Sequence, residues 1–506
     1  MPGPDPARDY RKRNDLPMAE AKKNVNRSAS RKLWTKIGIA AAAVAVVALV
    51  LVSYFTSTTY FRSKTALEIG EHDISAAEYN YYYGNAYQNV YASVQQTYGE
   101  YADAVLNPEL PLDEQMYAED QTWAEYLHEL TVSNLEEIYA FYDKAVEAGY
   151  TLSEEGVAEN EDLYEIIDAN AAASGYSVDN YLQAVYGKGV NEKVYTKLVE
   201  IVSLSTEYSA EINDGFTFTK EERAAYYAEH KNDVDSVTAR IYPIMFVTED
   251  GTSTTATLTY DEAKAAAEEA KTAVTDEESF IDFVVSLQDE ENKEAYADGA
   301  STLYSGLSYS YFANAEMSDW LFDEARAEGD TIVIEDAEAF YVAYFVSRSD
   351  NDYLLTNMRH ILVTPEKDEE GNLVEGAMDA ALEQAETLKA EWEANGATED
   401  AFASLANAYS ADGDGTTGGL YEDVFQGQMV DEIDAWLFDA ARAEGDSEII
   451  ETTYGYHVMY FVGHGQNYQT KTIEDALRAE KYEAWRNEAL EGHEAVLHQD
   501  GIDLVR

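Results

Sequence analysis

Cysteine is absent from all 506 residues of the chain. That removes disulfide cross-links, thiolate metal sites, a cysteine nucleophile and a lipidated N-terminal cysteine together, so stability has to come from packing. Cations are scarce: 34 Lys and Arg stand against 98 Asp and Glu, a formal charge of -64. They are also unevenly spread. Residues 1–36 hold ten Lys/Arg and four acidic residues, which leaves 24 against 94 in the rest. Phosphate binding needs clustered cations, so nucleic acid is excluded as a partner of the large acidic part, and acidity on this scale mainly keeps a protein dispersed. Between the two regions charge disappears for 19 residues, IGIAAAAVAVVALVLVSYF at 37–55, about the length that crosses a hydrocarbon core of ~30 Å as a helix. No small-x-small cleavage site follows, which favours an uncleaved anchor over a signal peptide. The cations before the run, against only Arg62 and Lys64 just after it, place the N-terminus in the cytoplasm and the remainder outside the cell membrane, on a single pass.

What is abundant is tyrosine, 40 residues of it, a ring that stays wettable while touching apolar groups. Tyr79, Tyr83, Tyr87, Tyr91, Val94, Tyr98 and Tyr101 recur at steps of three and four, predicting a helix over 75–105 with an apolar stripe. The stripe reads as core packing or as part of a cradle for a client. Pro108 and Pro111 end it, a second helix is predicted over 122–148 and closed by Gly149, and Ser153 and Glu154 open a third. Residues 174–190 read as a short helix hairpin punctuated by Gly175, Gly187 and Gly189.

The chain also carries one module twice. Residues 320–346 and 436–462 align without a gap, with 16 identities in 27 positions, so a chain of this length has at least two cores there. Each copy predicts strand, helices, a loop, a helix (431–442 in the second) and a closing strand. The copies differ where chemistry is possible: His457 stands in the second where Tyr341 stands in the first. His360 and His457 each sit on a period-2 pattern among apolar residues, which fits packed core histidines as well as a site. The run SADGDGTTGG around Asp412 suggests a calcium loop, but an EF-hand begun there needs Gly at 417 and Glu at 423, where Thr417 and Asp423 stand. No metal and no cofactor is expected.

RHILV (359–363), FASLANAYSADG (402–413), GGL (418–420), GQM (427–429) and TTYGYHV (452–458) come in the order seen in the parvulin family of peptidyl-prolyl isomerases, which the second module resembles. The helical region before the modules resembles the peptide-binding part of SurA-, PrsA- and PpiD-type foldases. The resemblance implies an α+β chain: cytoplasmic tail 1–36, transmembrane helix 37–55, helical chaperone domain 56–235, degenerate parvulin-like domain 236–350, isomerase domain 351–466, and a helix in 467–506 docking on the first domain. Each parvulin-like domain would be a four-stranded antiparallel sheet with helices. It further implies that His360, Asp412 and His457 are the catalytic group, and that Met429, Ile433 and Phe438 seat the proline ring, with Thr452 supporting the histidines. The implied function is cis/trans isomerisation of X-Pro bonds in unfolded or partly folded secreted polypeptides, with chaperone activity; the alternative is a holdase or envelope scaffold that uses the folds only for binding. In the first module Pro243 is expected near the place of His360 and Asp298 near that of Asp412, leaving that copy without catalysis. The acidic loop 364–376 would repel a phosphoserine dianion. Oligomeric state is left open.

Overall fold

A computed structural model describes residues 44–48, 52–248, 257–368, 370–413 and 415–505. Most of the apolar run 37–55 lies outside the described residues, and among those described no helix is long and apolar enough to cross a membrane. The chain divides into two compact units, Met1–Asp214 with Ala484–Arg506, and Gly215–Glu483.

The first unit is built on the helices Ala76–Tyr98 and Trp123–Ala148, each opened by a capping box in which Ser75 and Glu78, or Thr122 and Glu125, exchange side-chain and backbone hydrogen bonds. The tyrosine stripe is only partly core: Tyr79, Tyr83 and Val94 are buried, whereas Tyr98 at the end of the helix and Tyr101 beyond it are 48% and 68% exposed. Tyr81 and Tyr82, off the stripe, are buried too; Tyr81 packs edge-on to Tyr195, at 5.8 Å, on the helix Glu192–Gly215. Glu78 receives a 2.6 Å ion pair from Lys197 of the same helix.

A small sheet stands among these helices. Thr65–Ile69 pairs antiparallel with His72–Ser75 on one side and with Val496–Leu497 on the other. The helical pattern read for this region contains no hint of it, because strands this short show no measurable period and the third arrives from the far end of the chain. The end of the helix Tyr468–Leu490 belongs to this unit as well: Trp485 lies 4.7 Å from Phe141, and Arg486 is 2.7 Å from Glu137.

The second unit holds the duplicated modules. In the first, β1 (Ser236–Met245), β2 (Leu303–Leu307), β3 (Thr331–Glu335) and β4 (Ala339–Ser349) form a sheet in the order β2-β1-β4-β3. In the second, β5 (Leu354–Val363), β6 (Leu420–Val424), β7 (Ser447–Thr452) and β8 (Gly455–Asn467) take the order β6-β5-β8-β7. All pairs are antiparallel. The copies thus share a topology as well as a sequence. In the second, helices Ala377–Ala394 and Glu399–Tyr409 cover one sheet face, packing Leu388, Trp392 and Phe402 on Ile361, Val458 and Tyr460.

Two expectations about this unit are corrected. The helix read over 431–442 spans only Asp431–Leu437, because the Asp439 carbonyl and carboxylate take the Arg442 and Ala441 N–H groups in a turn. The residue in the place of His360 is Ile241, not Pro243. β1 pairs Pro243 with Tyr341 and Ile241 with Ala343, while β5 pairs Leu362 with His457 and His360 with Met459; Tyr341 and His457 coincide in the repeat, so Pro243 takes the place of Leu362.

Candidate active site

Side chains alternate along a strand, so Met358, His360 and Leu362 on β5 share a face with His457, Met459 and Phe461 on β8. The register sets His360 opposite Met459 and His457 opposite Leu362, making the two imidazoles diagonal neighbours. Their Nδ1 atoms lie 3.1 Å apart and their rings are nearly parallel, 9° between planes. The pair extends at both ends: His360 Nε2 is 2.9 Å from Asp412 Oδ2, and His457 Nε2 is 2.9 Å from Thr452 Oγ1.

Proton positions follow from counting donors. Ionised Asp412 only accepts, so His360 Nε2 carries a proton; its Nδ1, in the neutral ring, then accepts from His457 Nδ1–H, and His457 Nε2 accepts from the Thr452 hydroxyl. One proton per contact satisfies the whole chain with both rings neutral. The electrostatics agree. Burial lowers the pKa of His360 against the upward pull of Asp412, and burial with the neighbouring His360 lowers that of His457 to about 4. Asp412 stays below its ordinary value: burial works upward on it, but the Tyr421 hydroxyl and His360 outweigh that.

The local sequence builds this line. Ser410 Oγ accepts from the Leu362 and Asp412 N–H groups, and the Ala411 N–H reaches the Leu362 carbonyl, pinning the acidic loop to β5. Gly419, at φ +66°, gives its carbonyl to the His360 N–H at 3.0 Å; a Cβ there would stand 2.3 Å from the His360 carbonyl oxygen. Arg359 holds the preceding turn through the Thr417 and Gly418 carbonyls and pairs with Glu399 at 2.9 Å. The same brace stands in the first module, where Arg240 pairs with Glu277 and reaches Thr302.

Of the residues expected at the site, His360, Asp412, His457 and Thr452 come together in one line. Met429 is half-buried and Ile433 fully buried in an apolar cluster with Met358, Trp436, Met459 and Phe461, on the sheet face that bears the imidazoles. Phe438 is half-buried against the same cluster, and its ring also meets Tyr353 edge-on at 5.7 Å. A cleft of about 620 Å³ opens beside Thr452, lined also by Pro365, Leu373, Met378 and Glu432; Met429 does not line it. Among the described residues no three His, Asp or Glu side chains are grouped as a metal ion requires.

Tyr421 is the functional residue that the sequence reading missed. Its hydroxyl donates to Asp412 Oδ2 at 2.9 Å and its ring stands edge-on to His360, 5.2 Å between centroids. The signal was present, since the Leu-Tyr pair 420–421 recurs as 303–304, on strands that pair equivalently. In the first module the line is gone. Ile241 and Tyr341 pack with Met317, Phe322 and Ile334, Asp336 replaces Thr452, and Asp298 caps the Ala300 N–H.

Residues 360–463 match the family model described as Rotamase: PPIC-type PPIASE domain. This part of the chain is therefore a parvulin-type peptidyl-prolyl cis-trans isomerase domain. No curated protein matches the chain. Among solved structures it is similar to PrsA from Bacillus subtilis (13% identity, 75% of this chain and 91% of that one, TM-score 0.22) and to the peptidylprolyl isomerase PrsA from Bacillus anthracis (14%, 46% and 93%, TM-score 0.20). It is also similar to a structure described with PEB4 and Cj1289, SurA-like chaperones of Campylobacter jejuni (14%, 73% and 93%, TM-score 0.14). With scores of this size, function has to be argued from the site and the matched domain.

Proposed function

We propose, from the premise that an isomerase domain occupies residues 360–463, that the chain is a membrane-anchored extracytoplasmic foldase that turns X-Pro bonds in secreted, unfolded polypeptides. The observation that carries this is the unbroken line Thr452–His457–His360–Asp412, closed by Tyr421, on the face of the sheet that also bears the apolar cluster.

The reaction makes and breaks no covalent bond. Rotation about the imide faces ~18 to 20 kcal/mol and takes ~10 to 100 s unaided; four decades of acceleration amount to about 5.4 kcal/mol. Twisting the imide ends its resonance and draws charge off the carbonyl oxygen, so a dry apolar seat penalises the planar state more than the twisted one. Met429 and the surface over Ile433 supply that seat. Both histidines are only 5% exposed, whereas the Asp412 side chain is 40% exposed. Asp412, with Tyr421, is thus the end of the line that meets the client, and His360, His457 and Thr452 are positioning residues that fix its carboxylate. The uncharged run 37–55, with the basic tail before it, supplies the anchor.

A second reading, a holdase that uses these folds only for binding, draws on the first module, which keeps the topology without the hydrogen-bonded line. Turnover of a proline tetrapeptide by the full chain separates them. His457→Ala should lower kcat/KM at least about tenfold, 1.4 kcal/mol of transition-state stabilisation, while suppression of client aggregation persists. An unchanged rate in that variant refutes the enzymatic roles given to the line.

A further inference from the structure

A large cleft lies in the first unit. It encloses about 1040 Å³ between the helices Ala76–Tyr98 and Trp123–Ala148, the loop at 110–113 and the closing residues 497–505. That is at the upper end of the ~300 to 1,000 Å³ of small-molecule pockets, so the space suits several residues of a chain. Its floor is apolar, with Leu112, Val132, Ile502 and Val505, and Leu110 and Leu497 are each 53% exposed at it.

Its ionic character is one-sided. Asp113, Glu125, Glu129, Glu136 and Asp503 line it, and no Lys or Arg does. The hydrogen bonds these carboxylates accept come from neutral groups: Thr122 for Glu125, Gln121 for Glu129, the Ala495 N–H for Glu136 and Gln499 for Asp503. His128 adds no positive charge at neutral pH, because burial lowers its pKa below the ordinary 6.5; its Nδ1 is 2.9 Å from the Tyr79 hydroxyl.

We propose that this cleft binds stretches of client polypeptide in which Lys or Arg alternates with aliphatic residues. The aliphatic side chains cover Leu110, Val132 and Leu497, and the cations reach the rim while their methylene stems stay on the apolar floor. The assignment rests on the foldase reading and names the class of segment that it captures. Each exposed ion pair is weak and screened over about 8 Å at physiological salt, so the selectivity comes from five carboxylates converging on one apolar trough. Acidic or phosphorylated segments are turned away by the same groups.

The test uses the full chain in nanodiscs of neutral lipid, with empty nanodiscs as blank, and labelled nonapeptides alternating Leu with Lys, Ser or Glu. By anisotropy, the Lys peptide should bind about tenfold more tightly than the Glu peptide, with the Ser peptide between. Combining Asp113→Asn, Glu129→Gln and Asp503→Asn should weaken the Lys peptide about fivefold and leave the Ser peptide unchanged. A control combining Glu155→Gln, Glu159→Gln and Asp162→Asn, on the exposed side of the helix Glu154–Ala173, should change it less than about twofold. Equal losses in both variants would mean diffuse attraction to an acidic protein and overturn the assignment, as would the absence of any charge preference. Tetrapeptide turnover and aggregation suppression are read on the same preparations. If the unsubstituted chain shows neither, the foldase reading falls; if it shows both while the rim variant binds like the unsubstituted chain, only the cleft assignment falls.

Discussion

At the scale of single residues the site is an accounting problem in donors and acceptors. Thr452 is 7% exposed, and its hydroxyl is the partner of His457 Nε2. Thr452→Val keeps the shape and leaves a buried ring nitrogen without a donor, at a cost of about 1–3 kcal/mol, whereas Thr452→Ser should cost far less. Urea denaturation followed by near-ultraviolet dichroism distinguishes the two. His457 also links stability to pH. Its folded pKa is depressed to about 4 from the ordinary 6.5, so the unfolded chain binds the proton more readily. The stability is fully present above about pH 6.5 and is lost as pH falls towards 4, up to on the order of 3 kcal/mol. Denaturation midpoints measured between pH 4 and 7 should therefore fall less steeply in His457→Gln than in the unsubstituted protein; identical slopes would place no such linkage at His457.

At the scale of elements, what holds the site is the seam between β5, β6 and the turn that leads into β6. Gly419→Ala puts a Cβ 2.3 Å from the His360 carbonyl oxygen and 3.1 Å from the Ala406 Cβ, at a φ of +66°. The clash is with backbone, so β6 must move away from β5. We expect a loss of more than about 2 kcal/mol and tetrapeptide turnover reduced with it, since Tyr421 rides on β6; Gly371→Ala, with nothing within 4 Å of its Cβ, is a control for the effect of glycine replacement at positive φ. Elements of this kind were legible where their signals are local. Ser75 with Glu78, and Thr122 with Glu125, announce their helices because a capping box closes within four residues. The line His360–Asp412–His457–Thr452 was legible through motif resemblance, because each motif sits on one element. Signals that depend on register were not. Pairing with the closing strand, not the pattern of β1 alone, decides that Ile241 rather than Pro243 is the counterpart of His360. The strand Val496–Leu497 pairs across more than 400 residues, so no local pattern announces it.

At the scale of the molecule the duplication separates fold from chemistry. Both modules keep the strand order, the arginine-glutamate brace and the Leu-Tyr pair on the edge strand. None of these is a charge relay or a seat for a ring; they are what it takes to close the sheet. What the second module adds is a set of polar side chains that are useful only together, since each donor in the line needs the next acceptor. Tyr341→His restores one member and should therefore create no second site. Its Nδ1 would face Ile241, where no acceptor stands, and Asp336 rather than a hydroxyl occupies the place of Thr452. An imidazole without these partners, in the half-buried place of Tyr341, would instead destabilise the first module, by about 1 kcal/mol. The measurement is tetrapeptide turnover in two variants of the full chain. Tyr341→His alone should match the unsubstituted rate, and Tyr341→His with His457→Ala should be as slow as His457→Ala. Recovery in the double variant would show that a single imidazole on this scaffold suffices, and the argument from the complete line would fail.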